Sequence, residues 1–133
     1  MHNDVKEVVI LSTFVKDVMN RLNIGKPLAP KLRLALEEAV VNVMEYAYPT
    51  GSKGEINIRV TSDCQQLKFI ITDTGISFDP TNASIADITL TAKERPVGGL
   101  GILLVRELMD SINYERTDGK NVLTLKKRNI RMQ

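Results

Sequence analysis

The chain has 133 residues, of which 43% are hydrophobic, and this size and composition fit one domain that spans residues 1–133. Its formal net charge of +2 is too small to indicate nucleic-acid binding. The sequence shows neither a signal-peptide pattern nor an apolar run of about 20 residues, so we expect a cytoplasmic protein without a membrane anchor. A single cysteine and a single histidine exclude an internal disulfide, a thiolate metal cluster and a histidine-based catalytic triad, and they disfavour a catalytic zinc site. Any chemistry must therefore use carboxylates, amides, backbone groups or a bound cofactor.

Two helices are predicted ahead of the first strand. The first begins after a cap at Asn3 or Asp4 and ends near Gly25. Its apolar positions follow helical spacing and comprise Val5, Val8, Val9, Val15, Val18, Met19 and Leu22. The second runs over about 30–48, until Pro49 stops it. Its predicted buried stripe comprises Leu32, Ala35, Leu36, Ala39, Val40, Val43 and Ala47.

Two hairpins are also predicted. Residues 55–61 alternate between apolar and polar side chains, and residues 67–72 are apolar and rich in β-branched types, with a short turn between them. The last two strands, about 111–116 and 122–127, flank the dipeptide Asp118-Gly119. That dipeptide is a strong signal for a two-residue hairpin turn.

A third helix is predicted between the hairpins, over about 100–110, and the weakly periodic segment 81–97 ahead of it is predicted to be a loop or lid. Helices and strands do not alternate regularly, which disfavours a parallel sheet built from βαβ units. We therefore expect an α+β fold, a two-layer sandwich in which helices cover one face of a mixed, mainly antiparallel sheet.

Glu38 and Asn42 lie one turn apart on the predicted second helix, and therefore on the same face. One interpretation places both at the solvent edge of an amphipathic helix, as expected for Glu37 and Glu45. The other is a site for a hard cation, in which the carbonyl oxygen of Asn42 binds Mg²⁺ while water and phosphate oxygens supply further ligands. Glu38 would then orient or deprotonate a nucleophile.

Asp73 directly follows an apolar strand, and Gly75 comes two residues later. The pair is typical of an ordinary turn. Alternatively, the carboxylate accepts a hydrogen bond from the exocyclic amino group of adenine, and Gly75 lets the base pack close to the backbone. The two residues by themselves leave both interpretations open.

Three glycines, Gly98, Gly99 and Gly101, open the predicted third helix. Such a turn lets a phosphate approach backbone N–H groups at a helix N-terminus, where the helix dipole adds partial positive charge. A flexible hinge before a core helix is the alternative. The P-loop pattern is missing, and a dinucleotide-binding turn is disfavoured because Leu104 stands where its last glycine should be and no strand precedes the turn.

With these three motifs in this order, the chain resembles the ATP-binding domain shared by gyrase, the Hsp90 chaperone, sensor histidine kinases and the MutL repair protein. Within that superfamily it is most similar to the anti-sigma-factor serine kinases. The similarity runs from about residue 5 to residue 127 and is carried by Glu-Ala-Val-x-Asn at 38–42, Asp-x-Gly with a trailing Phe-Asp-Pro at 73–80, and Gly-Gly-Leu-Gly-Ile at 98–102. It implies the ATP-binding fold of that superfamily, the Bergerat fold.

The resemblance also implies ATP and Mg²⁺ as cofactors and gives roles to individual positions. Asn42 would bind Mg²⁺, and Glu38 would be the catalytic base. Asp73 would hydrogen-bond adenine, with help from Gly75. Backbone amides of the glycine motif would contact the phosphates, namely those of Gly98, Gly99, Leu100 and Gly101. Arg95, in the predicted lid, stands where the family often has a basic residue near the phosphate or the partner.

The chain departs from the family's pattern at several places. Family kinases usually begin with an edge strand before the first helix, which this chain is expected to lack because its first helix starts so early; a homodimer therefore stays an open prediction. Tyr46 stands where the family often has a histidine after the asparagine motif. A Gly-Thr near the final strand is replaced by Gly119-Lys120-Asn121, and Thr124 is a candidate hydroxyl near adenine.

The resemblance implies a serine/threonine protein kinase that phosphorylates a small regulatory protein of the antagonist type and also binds a sigma factor or a similar partner. The alternative is a nucleotide-dependent binding module without kinase activity, although the presence of Glu38 favours the kinase. A detached histidine kinase domain is disfavoured because the chain's single histidine is His2. A purely structural adaptor, the last alternative, would bind no ATP.

Overall fold

The structure is a computed structural model that describes residues 7–22, 24, 28–48, 54–63, 66–80 and 98–128. Its elements, in chain order, are α1 (Val8–Arg21), α2 (Leu28–Tyr46), β1 (Ile56–Ser62), β2 (Leu67–Asp73), α3 (Gly98–Leu108), β3 (Ser111–Thr117) and β4 (Lys120–Lys127). The predicted lid at 81–97, and residues 1–6, where an edge strand is expected to be missing, lie outside the described residues. Among the helices that the structure describes, none has the length and apolar character needed to cross a membrane.

The four strands form one sheet in the order β1-β2-β4-β3, and all three pairings are antiparallel. Alternate side chains of the two central strands are buried, namely Leu67, Phe69 and Ile71 on β2 and Leu123 and Leu125 on β4. Such alternation places one face of the sheet against a core. Residues from all three helices share that core, so the predicted α+β sandwich with helices on one face is confirmed.

α2 is the central helix, because it packs against α1, α3 and β2. Its predicted buried stripe is confirmed at every position, since all of these residues are buried: Leu32, Ala35, Leu36, Ala39, Val40, Val43 and Ala47. The helix begins at Leu28, two residues earlier than predicted, so Pro30 falls in its first turn. Proline fits there because the first N–H groups of a helix have no partner within the helix.

α1 buries two of the apolar positions named from the sequence, Val15 and Met19, together with Leu11, which lies outside that set. These three buried residues are spaced one turn apart. Val9, which also keeps the helical spacing, is 72% exposed. The helix has apolar residues on more than one side, and spacing alone does not select the side that faces the core. α1 begins at Val8, and the predicted caps Asn3 and Asp4 lie outside the described residues.

A tight turn joins β3 to β4 and sets where β4 begins. Asp118 has a φ of 52° and Gly119 a φ of 75°, as a two-residue type I′ hairpin turn requires at both central positions. The predicted turn is confirmed. The register that follows it pairs Asn121 of β4 with Asp73 of β2, so two polar side chains meet at the end of the sheet where β2 ends.

Candidate functional site

The last residue of β2 is a buried carboxylate. Asp73 is 2% exposed and continues the buried, helix-facing side of the strand beyond Ile71. Its Oδ1 accepts hydrogen bonds from the Gly75 N–H at 2.8 Å and from Asn121 Nδ2 at 2.9 Å. Burial raises the pKa of Asp73, while the bonds from Asn121 and Gly75 and the charge of Arg116 oppose that rise. The predicted adenine-binding residue is thus a firmly held hydrogen-bond acceptor.

Gly75 is required by a close approach to the C-terminal end of α2. A Cβ atom at this position would lie 2.3 Å from the carbonyl oxygen of Ala47. The next residue, Ile76, donates its N–H to that same oxygen at 2.8 Å. A contact within the protein therefore accounts for the glycine, and its predicted closeness to adenine stays a prediction.

Tyr48 ties the segment after β2 to the segment before β1. Its hydroxyl accepts the Thr74 N–H at 3.1 Å and donates to the Glu55 carbonyl at 3.1 Å. Gly54 packs so closely on the ring that a Cβ atom there would lie 2.3 Å from Tyr48 Cε1. Together with the bond from Ile76 to Ala47, these contacts hold the turn after β2 against the end of α2.

Tyr46 stands where the resembled kinases often have histidine, and it contacts the segment that follows this turn. The centroid of its ring lies 5.2 Å from that of Phe78, at an interplanar angle of 35°. Aromatic pairs at such separations are favourable. Further along the chain, Arg106 of α3 donates to the Pro80 carbonyl at 3.5 Å. The Phe-Asp-Pro tail of the Asp73 motif is thereby held by both α2 and α3.

Glu38 and Asn42 carry buried polar atoms that lack partners. Asn42 is 2% exposed, so the interpretation that places it at the solvent edge is wrong, and Glu38 is of intermediate exposure. Among the described residues, no group forms a hydrogen bond with Asn42 Nδ2 or with Glu38 Oε2. Because most buried polar atoms in proteins are paired, each exception needs a reason. A site whose remaining partners come from a ligand supplies one.

The electrostatic environment of Glu38 suits a proton acceptor. Burial raises the pKa of Glu38, and the neighbouring carboxylates of Glu37 and Glu45 raise it further. A carboxylate whose pKa lies above its usual range accepts a proton more readily near neutral pH. This side chain therefore holds a proton more tightly than an ordinary glutamate, which is one of the properties that a general base requires.

The glycine motif forms the first turn of α3 rather than a loop before it. The helix begins at Gly98, two residues before the predicted start. Its first residues, Gly98, Gly99, Leu100 and Gly101, therefore carry the N–H groups that have no partner within the helix. The first turn of this described helix contains no acidic residue, so no side chain of that turn neutralises its partial positive charge. The N-terminus of α3 thus suits an anion.

α2 links the three predicted motifs. It carries Glu38 and Asn42, its C-terminal end contacts the turn after Asp73, and it packs along α3, whose first turn is the glycine motif. Arg95, the predicted basic residue of the lid, lies outside the described residues. These features suit a ligand that carries both a hydrogen-bond donor and anionic groups.

Sequence reasoning misses Asn121, the β4 residue that contacts Asp73. Asn121 is 3% exposed and shares the helix-facing side of β4 with Leu123 and Leu125. The available signal is its place in the tripeptide that replaces the family's Gly-Thr. Thr124 alternates to the opposite face of β4, which places it away from Asp73.

Comparison with protein-family models matches residues 1–127 to the histidine kinase-like ATPase domain. The chain belongs to that family. Among its relatives, the serine/threonine-protein kinase BtrW of Bordetella bronchiseptica is 31% identical over 94 residues, which make up 71% of this chain and 66% of that protein. The serine-protein kinase RsbW of Bacillus cereus is 30% identical over 123 residues, 90% of this chain and 76% of that protein. The chain therefore spans only part of the length of these relatives.

Solved structures of the histidine kinase-like ATPase fold resemble this one. The histidine kinase domain from the blue-light activated histidine kinase of Erythrobacter litoralis gives a TM-score of 0.58 at 15% identity, over 90% of this chain and 61% of that chain. The catalytic domain of the histidine kinase ThkA gives a TM-score of 0.55 at 13% identity, over 97% of this chain and 96% of that chain. At such identities the likeness concerns the fold alone, and it confirms the predicted architecture.

Proposed function

We propose that this histidine kinase-like ATPase domain binds ATP with Mg²⁺ and acts as a serine/threonine protein kinase on a small regulatory protein of the antagonist type. It would also bind a sigma factor or a similar partner, and it would act in the cytoplasm. The names of the relatives at 31% and 30% identity support the class of reaction. The observation that carries the proposal is that two buried polar atoms one turn apart on α2, Glu38 Oε2 and Asn42 Nδ2, have no partner among the described residues.

The base of ATP would lie at the end of β2. Asp73 has one carboxylate oxygen, Oδ1, already bonded within the protein. The exocyclic amino group of adenine would donate to the other oxygen. Because Ala47 and Tyr48 hold the turn after Asp73, the carboxylate is in place before ATP arrives. Such preorganisation reduces the ordering that binding requires.

The triphosphate would contact α2 and the first turn of α3. The backbone amides of that turn would donate to phosphate oxygens. The side chain of Asn42 ends in a carbonyl and an amide that exchange places by rotation, and its carbonyl oxygen is a hard ligand suited to Mg²⁺. Within the parts of the chain that the structure describes, no three His, Cys, Asp or Glu side chains form a metal site, so phosphate oxygens and water would complete the coordination. Mg²⁺ held there would offset negative charge on the phosphates.

Glu38 would accept the proton of a serine or threonine hydroxyl on the substrate protein while that oxygen attacks the γ-phosphorus. The bond between the γ-phosphorus and the oxygen that bridges the β- and γ-phosphates breaks, and ADP leaves with the bridging oxygen. The raised pKa of Glu38 suits a base that takes up a proton near neutral pH and releases it afterwards. Positioning and electrostatic stabilisation supply most of the catalysis in phosphoryl transfer.

A phosphotransfer assay tests this proposal. Purified chain is incubated with radiolabelled ATP, Mg²⁺ and candidate antagonist proteins, and we expect label on serine or threonine of one of them. Transfer should fall about 10²- to 10⁴-fold in Glu38→Gln, as for loss of a general base, and stay unchanged in Glu115→Gln, which changes an exposed glutamate of β3. ATP binding without transfer would favour a nucleotide-dependent binding module, and the absence of ATP binding would overturn the proposal.

A further inference from the structure

Asn121 donates hydrogen bonds to two acceptors at the end of β2. Its Nδ2 lies 2.9 Å from Asp73 Oδ1 and 2.7 Å from the carbonyl oxygen of Ile76. The amide has two N–H groups, so it satisfies both acceptors at once. Asn121 therefore joins the carboxylate of Asp73 to the turn that follows it.

The carbonyl end of the same side chain accepts hydrogen bonds from three donors. Asn121 Oδ1 lies 2.5 Å from the Tyr114 hydroxyl, 3.1 Å from Arg116 Nη1 and 3.4 Å from the Phe78 nitrogen. Arg116 Nη1 also donates to the Gly75 carbonyl at 2.8 Å, so β3 holds both Asn121 and the turn. The amide is thus bonded at both ends within a cluster that spans β3, β4 and the turn after β2.

These partners leave Asn121 one orientation. A guanidinium and a backbone N–H can only donate, so Arg116 and Phe78 require an oxygen facing them. The carbonyl of Ile76 can only accept, so it requires the NH₂ group on the other side. Rotating the amide by half a turn would set donor against donor and acceptor against acceptor. Asn121 must therefore present a donor to Asp73.

The donor from Asn121 defines how the carboxylate of Asp73 is used. Oδ1 receives two hydrogen bonds, from Asn121 and from the Gly75 N–H. Within the described residues, no group donates to Oδ2. One oxygen is thus occupied by the protein, and the other is left as an acceptor for a ligand.

We propose that Asn121, held by Tyr114 and Arg116, is a positioning residue that occupies Oδ1 of Asp73, directs Oδ2 toward the base of the nucleotide and thereby sets the preference for adenine over guanine. This inference rests on the proposed nucleotide binding. Adenine offers an amino donor at its six position, whereas guanine offers an oxygen acceptor there. An ionised carboxylate oxygen accepts from the first and repels the second.

The ionisation of Asp73 depends on the same cluster. Burial raises the pKa of Asp73, and the hydrogen bond from Asn121 is the largest of the effects that oppose the rise, followed by the Gly75 N–H and the charge of Arg116. Among the described residues that bond to this turn, Tyr114 on β3 and Tyr48 beyond α2 also carry titratable hydroxyls. Without the donor from Asn121 the carboxyl would hold its proton to higher pH, and a protonated Oδ2 would face guanine as a donor.

Asn121→Asp is the sharpest test, because it replaces the donor nitrogen with an acceptor and keeps the oxygen that Tyr114 and Arg116 bind. Dissociation constants for ATP and GTP, each with Mg²⁺, are measured by calorimetry over a range of pH. We expect the ATP-to-GTP preference to fall about tenfold, the size of one good base contact. We also expect the pH below which ATP affinity declines to move upward, because two neighbouring carboxylates share a proton.

Asn113→Asp is the matched control, since it makes the same change at an exposed position of β3. It should alter neither the preference nor the pH profile. If Asn121→Asp does not fold, Tyr114→Phe removes only the hydroxyl that bonds Asn121, and it should shift the preference in the same direction by a smaller factor. An unchanged preference in the folded variant, with wild-type binding of ATP intact, would overturn this inference alone. Failure of the wild type to bind ATP would overturn both this inference and the proposed function.

Discussion

Two polar regions, one around Asp73 and one on α2, differ in how their buried atoms are bonded. Around Asp73 and Asn121, side chains and backbone groups satisfy one another at distances of 2.5–3.4 Å. On α2 itself, Asn42 Nδ2 and Glu38 Oε2 are buried without a hydrogen-bond partner among the residues that the structure describes. The first region has its geometry before a ligand binds, and the second keeps polar atoms that the described residues leave unbonded.

Because of this difference, the two regions contribute differently to the free energy of unfolding. A satisfied buried network holds the fold in one arrangement, and removing one member leaves the others unpaired. A buried polar atom without a partner destabilises the fold by about 1–3 kcal/mol, so removing it relieves a penalty. Removing a group that holds Asp73 in place should therefore lower stability and binding together, whereas changes at Glu38 or Asn42 should lower function without lowering stability.

Gly75→Ala should have the largest effect on stability. The added Cβ would lie 2.3 Å from the Ala47 carbonyl oxygen, and backbone atoms must move to admit it. We expect the free energy of unfolding to fall by about 2–3 kcal/mol, at the upper end for overpacked sites, as measured by chemical denaturation. Gly119→Asn is the control, because nothing lies within 4 Å of a Cβ there and asparagine tolerates its φ of 75°. Wild-type stability in Gly75→Ala would contradict the close contact.

Asp73→Asn should change specificity more than stability. The asparagine can still accept the bonds from Gly75 and Asn121 on one side, while its NH₂ group replaces Oδ2 on the other. A donor would then face the amino group of adenine, so we expect the preference for ATP over GTP to fall about tenfold or more. Competition binding with both nucleotides measures it. An unchanged preference would remove Asp73 from base recognition and would leave the region around Asp73 and Asn121 with a structural role alone.

Glu38→Gln should give a small gain in stability that depends on pH. The pKa of Glu38 is raised above 4.5 in the folded chain, so ionisation of this carboxyl opposes folding. The protonated carboxyl stabilises the fold fully at a pH below the pKa of the unfolded state. That stabilisation is lost as the pH rises through the pKa of the folded state. The variant should therefore match the wild type near pH 4 and melt at a higher temperature near pH 8. Thermal unfolding across this range, with Glu115→Gln as an exposed control, checks the sign. A lower melting temperature at pH 8 would show that the Glu38 carboxylate stabilises the fold.

The helical and strand patterns predicted most of the architecture, because they depend on local spacing. The buried stripe of α2 follows directly from a period of 3.6. The pattern of α1 includes Val15 and Met19, which are buried, but also Val9, which is exposed, because tertiary packing selects among its apolar residues. The start of α3 was placed too late because glycine has a low helix propensity, which says nothing about packing against α2.

The candidate site divides in the same way. Glu38, Asn42 and Asp73 can be proposed from the sequence because each belongs to a short motif. The contact of Asn121 with Asp73 cannot be predicted in this way, because it depends on the pairing of β2 with β4, which joins residues distant in sequence. The contact that explains Gly75 is likewise non-local, since its partner Ala47 lies beyond the end of α2.

In the proposed function, α2 would hold Mg²⁺ and the phosphates of ATP through Asn42. Thermal unfolding of the wild type and of Asn42→Ala, each with ATP in the presence and absence of Mg²⁺, tests it most directly. At about 100 times the dissociation constant, Mg²⁺ and ATP together should stabilise the wild type by about 2.7 kcal/mol. The variant should unfold like the unliganded wild type and gain nothing from adding Mg²⁺ to ATP. A variant that unfolds far more easily without ligand, or that still gains stability from Mg²⁺ with ATP, would contradict the account.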